Sequence, residues 1–216
     1  MSENLTETEI RVLGSLVEKQ LTTPEYYPLT MNALTAACNQ KSNRDPIAAY
    51  GETEILGAID SLREKNLVYL YYGSTSRAVK YKHMLPGVFH LDEPETAIMA
   101  VLMLRGHQTL GEIRERTGRL FEFSGIGEVN EKLDGLSARD ESLVVKLERQ
   151  PGQKEARYAH LLSGEVTASN IPHREKTAAS PALDQRIAAL ESEIAELRSD
   201  LTGFRETFDE FRKQFD

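Results

Sequence analysis

The hydrophobic positions between residues 53 and 85 predict one helix followed by a β-hairpin. Four apolar residues recur there with the one-sided spacing of a helix that lies on a core: Ile55, Leu56, Ile59 and Leu62. Two runs of β-branched and aromatic residues follow at 68–72 and 79–82, separated by the polar turn 73–76 with its glycine. This helix and hairpin organise the first part of the chain.

Two helices are predicted ahead of that unit. Thr6 and Glu9 form the sequence signature of a capping box, and an apolar stripe follows at Ile10, Leu13, Leu16 and Val17. After a loop with two prolines and two tyrosines, Thr30 caps a second helix whose apolar side carries Leu34, Ala37 and Cys38.

The same order of elements returns in residues 91–164. Asp92 and Glu95 begin a helix that Gly106 ends, and Thr109 with Glu112 begins the next helix. The third helix is predicted to bury Ile126, Val129, Leu133 and Leu136, and the hairpin strands are predicted at 143–147 and 158–162. The returning strand YAHLL at 158–162 aligns with YKHML at 81–85, so the pattern indicates an internal duplication.

Two helices, a third helix and a hairpin are the elements of a winged helix-turn-helix. The fold class predicted is mainly α with small β-hairpins (α+β), as tandem winged helices followed by a coiled-coil helix. The predicted boundaries are 1–90 for the first winged helix, 91–164 for the second, 165–180 for a flexible linker and 181–216 for the coiled coil.

The coiled coil is predicted from a heptad pattern of apolar residues that continues to Phe215. Isoleucine at a and leucine at d favour a parallel dimer, and g and e positions carry opposite charges. The predicted dimer interface is Leu183, Ile187, Leu190, Ile194, Leu197 and Leu201. The distal phenylalanines crowd a two-stranded core, so pairing, splaying and folding back all remain open for that half.

Several strings of residues resemble one known family. They are EKQ at 18–20, TTPE at 22–25, YPL at 27–29, TAACNQKSNR at 35–44, EFS at 122–124 and SGEV at 163–166. The chain resembles the YceH family of uncharacterised bacterial proteins over essentially its whole length. The resemblance implies tandem winged helices and a C-terminal helical extension, and it implies no activity and no functional residues.

The sequence indicates a cytoplasmic protein that is not an enzyme. It has one cysteine, no transmembrane window, and no apolar run near the N-terminus that could serve as a signal peptide. It also lacks a glycine-rich phosphate loop, a nucleophile motif and His or Cys pairs at metal spacing, so we expect no cofactor and no metal site. Cys38 is expected to be a core thiol.

Charge limits how such a fold would contact DNA. The net charge is −8, and the outward faces of both third helices are predicted to be acidic, which opposes their insertion beside phosphates. The candidate contacts are therefore basic residues in the first wing and in the loop before its helix: Lys41, Arg44, Arg77, Lys80 and Lys82. The competing interpretation is that these cations only keep an exposed edge soluble.

Two functions follow from these patterns. One is a dimeric, DNA-associated or transcription-regulatory protein with weak nucleic-acid contact through the first wing. The alternative is a protein–protein interaction or scaffold module that uses its acidic faces. Retention on duplex DNA at two salt concentrations separates the two classes, because only phosphate contacts weaken with salt.

Overall fold

The computed structural model describes residues 4–73, 78–149, 155–164 and 166, together with Gly203. The described residues up to 166 belong to one compact unit. It is an α+β structure in which seven α-helices and two three-stranded antiparallel sheets are assigned within the described ranges. Within those ranges, no helix is both long enough and apolar enough to cross a bilayer.

The first repeat begins with α1 (Glu7–Thr22) and a 3-10 turn (Pro24–Tyr26). It continues through β1 (Leu29–Thr30), α2 (Met31–Cys38), α3 (Glu52–Glu64), β2 (Val68–Tyr71) and β3 (Lys80–His83). The predicted capping box is confirmed: Thr6 Oγ1 accepts from Glu9 N at 3.3 Å, and the Glu9 carboxylate accepts from Thr6 N at 2.6 Å. Thr30 caps α2 as expected.

A short helix, α4 (Leu85–Phe89), leads into the second repeat. That repeat contains α5 (Glu93–Arg105), β4 (Gln108–Thr109), α6 (Leu110–Thr117), α7 (Ile126–Ser137), β5 (Val144–Lys146) and β6 (Arg157–His160). Asp92 with Glu95 and Thr109 with Glu112 form the predicted capping boxes. Gly106 ends α5 at φ +67°, a conformation that glycine adopts without steric cost.

The sheets confirm the correspondence between the repeats. Strand order is β1-β3-β2 in the first and β4-β6-β5 in the second. Val68 pairs with His83, and Val144 pairs with His160 in the same register. The two-residue strands β1 and β4 were missed in the sequence, because two residues are too few for an alternating pattern to be visible.

The two repeats pack on each other through their first helices, α1 and α5. An ideal Cβ on Gly14 of α1 would lie 3.0 Å from Met103 Cβ of α5, so glycine allows the helices to approach closely. Backbone hydrogen bonds also join the repeats, from Leu5 N to Leu162 O and from Asp45 N to Leu104 O. Buried apolar residues of both repeats form one continuous core. Separate folding of residues 1–90 and 91–164 would expose this shared surface.

Two predicted core positions are wrong. Leu56 in α3 is 43% exposed, because it lies one position away from the buried stripe of its helix. Ile126 has the spacing of the buried stripe of α7, but it is the first residue of that helix and is 51% exposed. The remaining predicted apolar residues of α3 and α7 are buried. The predicted linker lies almost entirely outside the described residues, and all six predicted dimer-interface residues lie outside them.

Candidate nucleic-acid interface

The solvent face of the first sheet carries two tyrosines directly opposite two lysines. Side chains alternate along a strand, so Tyr69 and Tyr71 of β2 share one face. In the antiparallel register Tyr69 pairs with Lys82 and Tyr71 pairs with Lys80. Tyr69 is 50% exposed and Tyr71 is 47% exposed, while Lys82 is exposed and Lys80 is half-buried. We call these four residues the Tyr/Lys face.

The opposite face of the same strands is anchored in the core. Val68, Tyr81 and His83 are buried there. Tyr27 follows the 3-10 turn, and its Oη accepts a hydrogen bond from His83 N at 2.7 Å. Burial raises the pKa of the Tyr27 hydroxyl, although this hydrogen bond works against the increase. The buried face thus holds the strands in one register and fixes which side chains reach solvent.

The structure brings together only part of the predicted contact set. Lys80 and Lys82 lie side by side on one strand face, and Arg77 lies outside the described residues. Lys41 is exposed in the loop between α2 and α3. Arg44 belongs to the same loop but does not present its charge to solvent.

Arg44 is a buried structural residue, and its side chain is 0% exposed. Its Nη2 donates to Glu18 Oε2 at 2.7 Å and to Ala37 O at 2.8 Å, and its Nε also donates to Ala37 O. These contacts satisfy a carbonyl at the end of α2 and pair the guanidinium with a buried carboxylate. Because this side chain is not exposed to solvent, the prediction that Arg44 contacts nucleic acid is wrong.

The outward side of α3 is acidic, as the sequence predicts. Exposed carboxylates lie along it at Glu52, Glu54, Asp60 and Glu64. One exposed cation, Arg63, was missed there, and its Nη1 donates to Asp60 at 3.0 Å. On α7, Glu131 and Asp134 are exposed, while Lys132 is paired with Asp92 at 2.6 Å. Neither helix presents a cationic face to a phosphate lattice.

The corresponding face of the second sheet lacks the tyrosines. Val145 pairs with Ala159 there, in place of Tyr69 and Lys82. Arg157, which occupies the place of Lys80, donates to the Glu112 carboxylate at 2.9 Å and to His107 O at 2.8 Å. The Tyr/Lys face is therefore particular to the first repeat within the described residues.

Sequence reasoning identified the lysines of this face but missed the tyrosines. The run VYLYY at 68–72 was interpreted only as a strand. The signal was present in the alternation of Tyr69 and Tyr71 with Val68 and Leu70, which places both tyrosines on the side away from the core. The sequence does not show the pairing register of the two strands, and this register places each tyrosine opposite a lysine.

Two further observations concern the thiol and the potential metal ligands of the described residues. The buried Cys38 has a pKa raised to about 11 by burial, so its thiol is a poor nucleophile near neutral pH. Within the described residues, no group of three or more His, Cys, Asp and Glu side chains is arranged to hold a metal ion.

Comparisons with known proteins place the chain among proteins without an assigned role. Residues 5–153 match the family described as "Protein of unknown function, DUF480". A "UPF0502 protein" of Opitutus terrae is 48% identical over 86% of this chain and 82% of its own length. One from Geotalea daltonii is 53% identical over 76% of this chain and 75% of its own length. A relative from Aliivibrio fischeri, "UPF0502 protein VFMJ11_A0613", is 45% identical over 81% and 82%.

Proposed function

We propose that this chain, which belongs to the DUF480 family of proteins of unknown function, is a non-enzymatic, dimeric nucleic-acid-associated protein with a regulatory role. In this proposal its two repeats are winged helices, and the Tyr/Lys face of the first repeat contacts the nucleic acid. The observation that carries the proposal is the direct cross-strand pairing of two exposed tyrosines with two lysines.

Such a face suits a polynucleotide because it combines two kinds of contact. Lysine ammonium groups neutralise phosphates and release counterions, which gives affinity without sequence preference. Exposed aromatic rings stack on bases or pack against sugars, and each stacked base contributes about 1–3 kcal/mol. Arg77 and Lys41 are proposed to extend the same basic surface. With so few cations, the contact is weak, non-specific and sensitive to salt.

The outward sides of α3 and α7 are acidic, which disfavours their contact with phosphates. A carboxylate facing a phosphate gains no counterion release and is repelled. We therefore propose that the third helices stay outside the major groove, unlike the usual recognition helix of this architecture.

Dimerisation is proposed to compensate for the small contact. If residues 181–216 pair as a parallel coiled coil, two Tyr/Lys faces act on one polymer and the second contact becomes intramolecular. The test is to replace Cys38 by alanine, introduce Leu183→Cys and oxidise the protein. An in-register parallel dimer brings the two thiols within disulfide reach and gives a covalent dimer on a gel. An antiparallel or folded-back helix leaves only monomer.

The test of the nucleic-acid contact is a titration of labelled duplex and single-stranded DNA, followed by fluorescence anisotropy at two salt concentrations. The double variant Lys80→Gln/Lys82→Gln is expected to bind more weakly and to lower the salt slope by about 2 on duplex. The matched control is Lys146→Gln/Arg149→Gln, which makes the same charge change on the second hairpin. Equal losses in both variants would show that only overall charge matters.

The tyrosines are tested separately from the charges. In Tyr69→Leu/Tyr71→Leu the lysines remain, so we expect weaker binding to single strands with an unchanged salt slope. Unchanged affinity in this variant would remove the aromatic rings from the proposal.

A protein-interaction role is the second candidate, and one observation favours it. Leu56 is exposed on α3 among carboxylates, an arrangement of apolar anchor and acidic surround that suits a basic protein partner. Absence of binding to either form of DNA at low salt, together with loss of a protein partner in Leu56→Asp, would make this the leading function.

A further inference from the structure

A polar cleft of about 310 Å³ lies at the junction of the two repeats. One side is the C-terminal end of α1, with Lys19, Thr22 and Thr23, and another is the loop after α2, with Ser42 and Asn43. Arg119, which follows α6 in the second repeat, completes the rim. The volume is that of a small-molecule site, and the Tyr/Lys face contributes no residue to its lining.

Cations outnumber carboxylates around this cleft. Glu18 Oε2 lies 2.7 Å from Arg44 Nη2 and 3.5 Å from Lys19 Nζ, while Glu18 Oε1 lies 4.0 Å from Arg119 Nη2. A single carboxylate is thus shared by three cations. Burial raises the pKa of Glu18, but the hydrogen bond and charge of Arg44, with Lys19 and Arg119, hold it below its usual value, so its one negative charge is already present.

Two more arginines line a small cavity next to the cleft. Arg105 and Arg116 line a small cavity that also contacts Glu18, Asn43 and Arg119. The Arg105 guanidinium donates to the neutral amide oxygen of Asn43. Burial lowers the pKa of Arg105, and the neighbouring Arg116, Arg119 and Arg44 act in the same direction against Glu18. Arg116 is paired with Glu112 at 3.6 Å, whereas Lys19, Arg44 and Arg119 share the one carboxylate of Glu18, so in a chain of net charge −8 this positive charge is concentrated locally.

The cleft also contains backbone N–H donors, whereas its two threonine hydroxyls already donate within α1. Thr22 Oγ1 donates to Glu18 O at 2.8 Å and Thr23 Oγ1 donates to Lys19 O at 3.2 Å, so two carbonyls at the end of α1 are already satisfied. Within the described chain, the backbone N–H groups of residues 40–44 have no intramolecular hydrogen-bond partner. Asn43 has φ +59°, the left-handed conformation found in backbone anion nests.

We propose that this cleft binds a small phosphorylated molecule, with Lys19 and Arg119 as the direct ligands of its phosphate groups. Arginine and lysine are the side chains best suited to phosphate oxygens. Lys19 lies 3.5 Å from Glu18, which Arg44 holds, and it lines the same cleft as Ser42 and Asn43 of the loop. Since Lys19 and Arg119 belong to different repeats, a bound phosphate bridges the two repeats. The site shares no residue with the Tyr/Lys face, although Lys41 of the proposed basic surface lies between two of its lining residues, Gln40 and Ser42.

Calorimetric titration of the full chain with inorganic pyrophosphate tests the site, with sodium sulfate and sodium chloride at matched ionic strength as reference anions. We expect saturable binding of pyrophosphate that is tighter than binding of either reference anion. Arg119→Glu changes a residue whose side chain is 68% exposed, so the fold is preserved. It is expected to lose about tenfold or more in affinity, the effect of one charge-assisted hydrogen bond.

Arg114→Glu is the matched control, because Arg114 is exposed on α6 and does not line the cleft. It is expected to bind pyrophosphate as the wild type does. No saturable binding by the wild type, or equal losses in the two variants, would overturn the proposal. Displacement of pyrophosphate by a short DNA duplex would also overturn it, because the phosphates would then be those of a nucleic acid.

Discussion

Acidification should destabilise the protein through His83, the residue that ends β3. Its side chain is buried, at 3% exposure for the whole residue, and its Nδ1 accepts from Leu85 N at 3.3 Å. Its Nε2 has no hydrogen-bond partner among the described residues. Burial, assisted by the charge of Lys82, lowers the pKa of His83 to about 4.

The sign and size of the effect follow from the two pKa values. An unfolded histidine has a pKa of about 6.5, so below that pH the unfolded chain binds a proton that the folded chain refuses. The contribution of His83 is complete above about pH 6.5 and is lost progressively as the pH falls towards about 4. At pH 5.5 the loss amounts to about 1.4 kcal/mol of unfolding free energy.

Urea unfolding followed by circular dichroism at pH 7.5, 6.5 and 5.5 measures this loss. In His83→Asn the amide oxygen replaces Nδ1 as acceptor and nothing titrates, so the variant should lose about 1.4 kcal/mol less than the wild type between pH 7.5 and 5.5. Burial also lowers the pKa of His160 to about 4, but this contribution is common to both proteins. The control His90→Asn removes an exposed imidazole at φ +50°, which asparagine tolerates. Identical pH dependence in His83→Asn and wild type would refute the reasoning.

Two further predictions concern the packing that joins the repeats and the buried ion pair. Gly14→Val should cost about 1–3 kcal/mol in urea unfolding, since its Cβ meets Met103 at 3.0 Å, while Gly57→Val, with nothing within 4 Å of its Cβ, should be nearly neutral. Equal effects would mean that α1 and α5 can separate without cost. Arg44→Met should cost about 3 kcal/mol in the same assay, because Glu18 remains buried and charged. The double variant Glu18→Leu/Arg44→Met should regain more than half, and no recovery would show that the arginine acts mainly through Ala37 O.

Element order and helix starts could be predicted from sequence because their signals are local. A capping box joins residues three positions apart, as Thr6 with Glu9 and Asp92 with Glu95, so each helix start is encoded beside itself. The buried stripes of the third helices follow from their period alone. The same reasoning predicts that Leu56 is buried. The helical period shows that one side of α3 is apolar, but it does not define the edges of that side to within one residue.

The candidate contact surface depended on information that is not local. Arg44 and Lys41 are both basic residues of the same loop, and the sequence does not distinguish them. Arg44 is buried where it pairs with Glu18, which is 26 residues away in the chain. Likewise, the pairing of Tyr69 with Lys82 depends on the strand register, which the buried side sets through Val68 and His83. A charged residue in a loop thus cannot be assigned to the surface until the long-range partners are known.

The duplication separates residues that maintain the fold from residues available for function. One ion pair is retained in both repeats between the start of the first helix and the end of the third: Lys65 Nζ lies 2.6 Å from Glu9 Oε1, and Arg139 Nη2 lies 2.8 Å from Glu95 Oε2. Burial raises the pKa of Glu9, yet hydrogen bonds from Lys65 and Ser61 and with Thr6 hold it below its usual value, so the Glu9 carboxylate stays charged in this pair.

A feature that both copies keep in the same place is explained by the architecture they share. The Tyr/Lys face and the polar cleft have no such counterpart in the second repeat. Ala159 occupies the position of Lys82, and Leu104 occupies the helix position of Glu18. Folding alone therefore does not require either surface, since the second copy forms the same elements without them. This asymmetry is the physical reason to look for function at the first sheet and at the junction of the repeats, rather than at the third helices that both copies present alike.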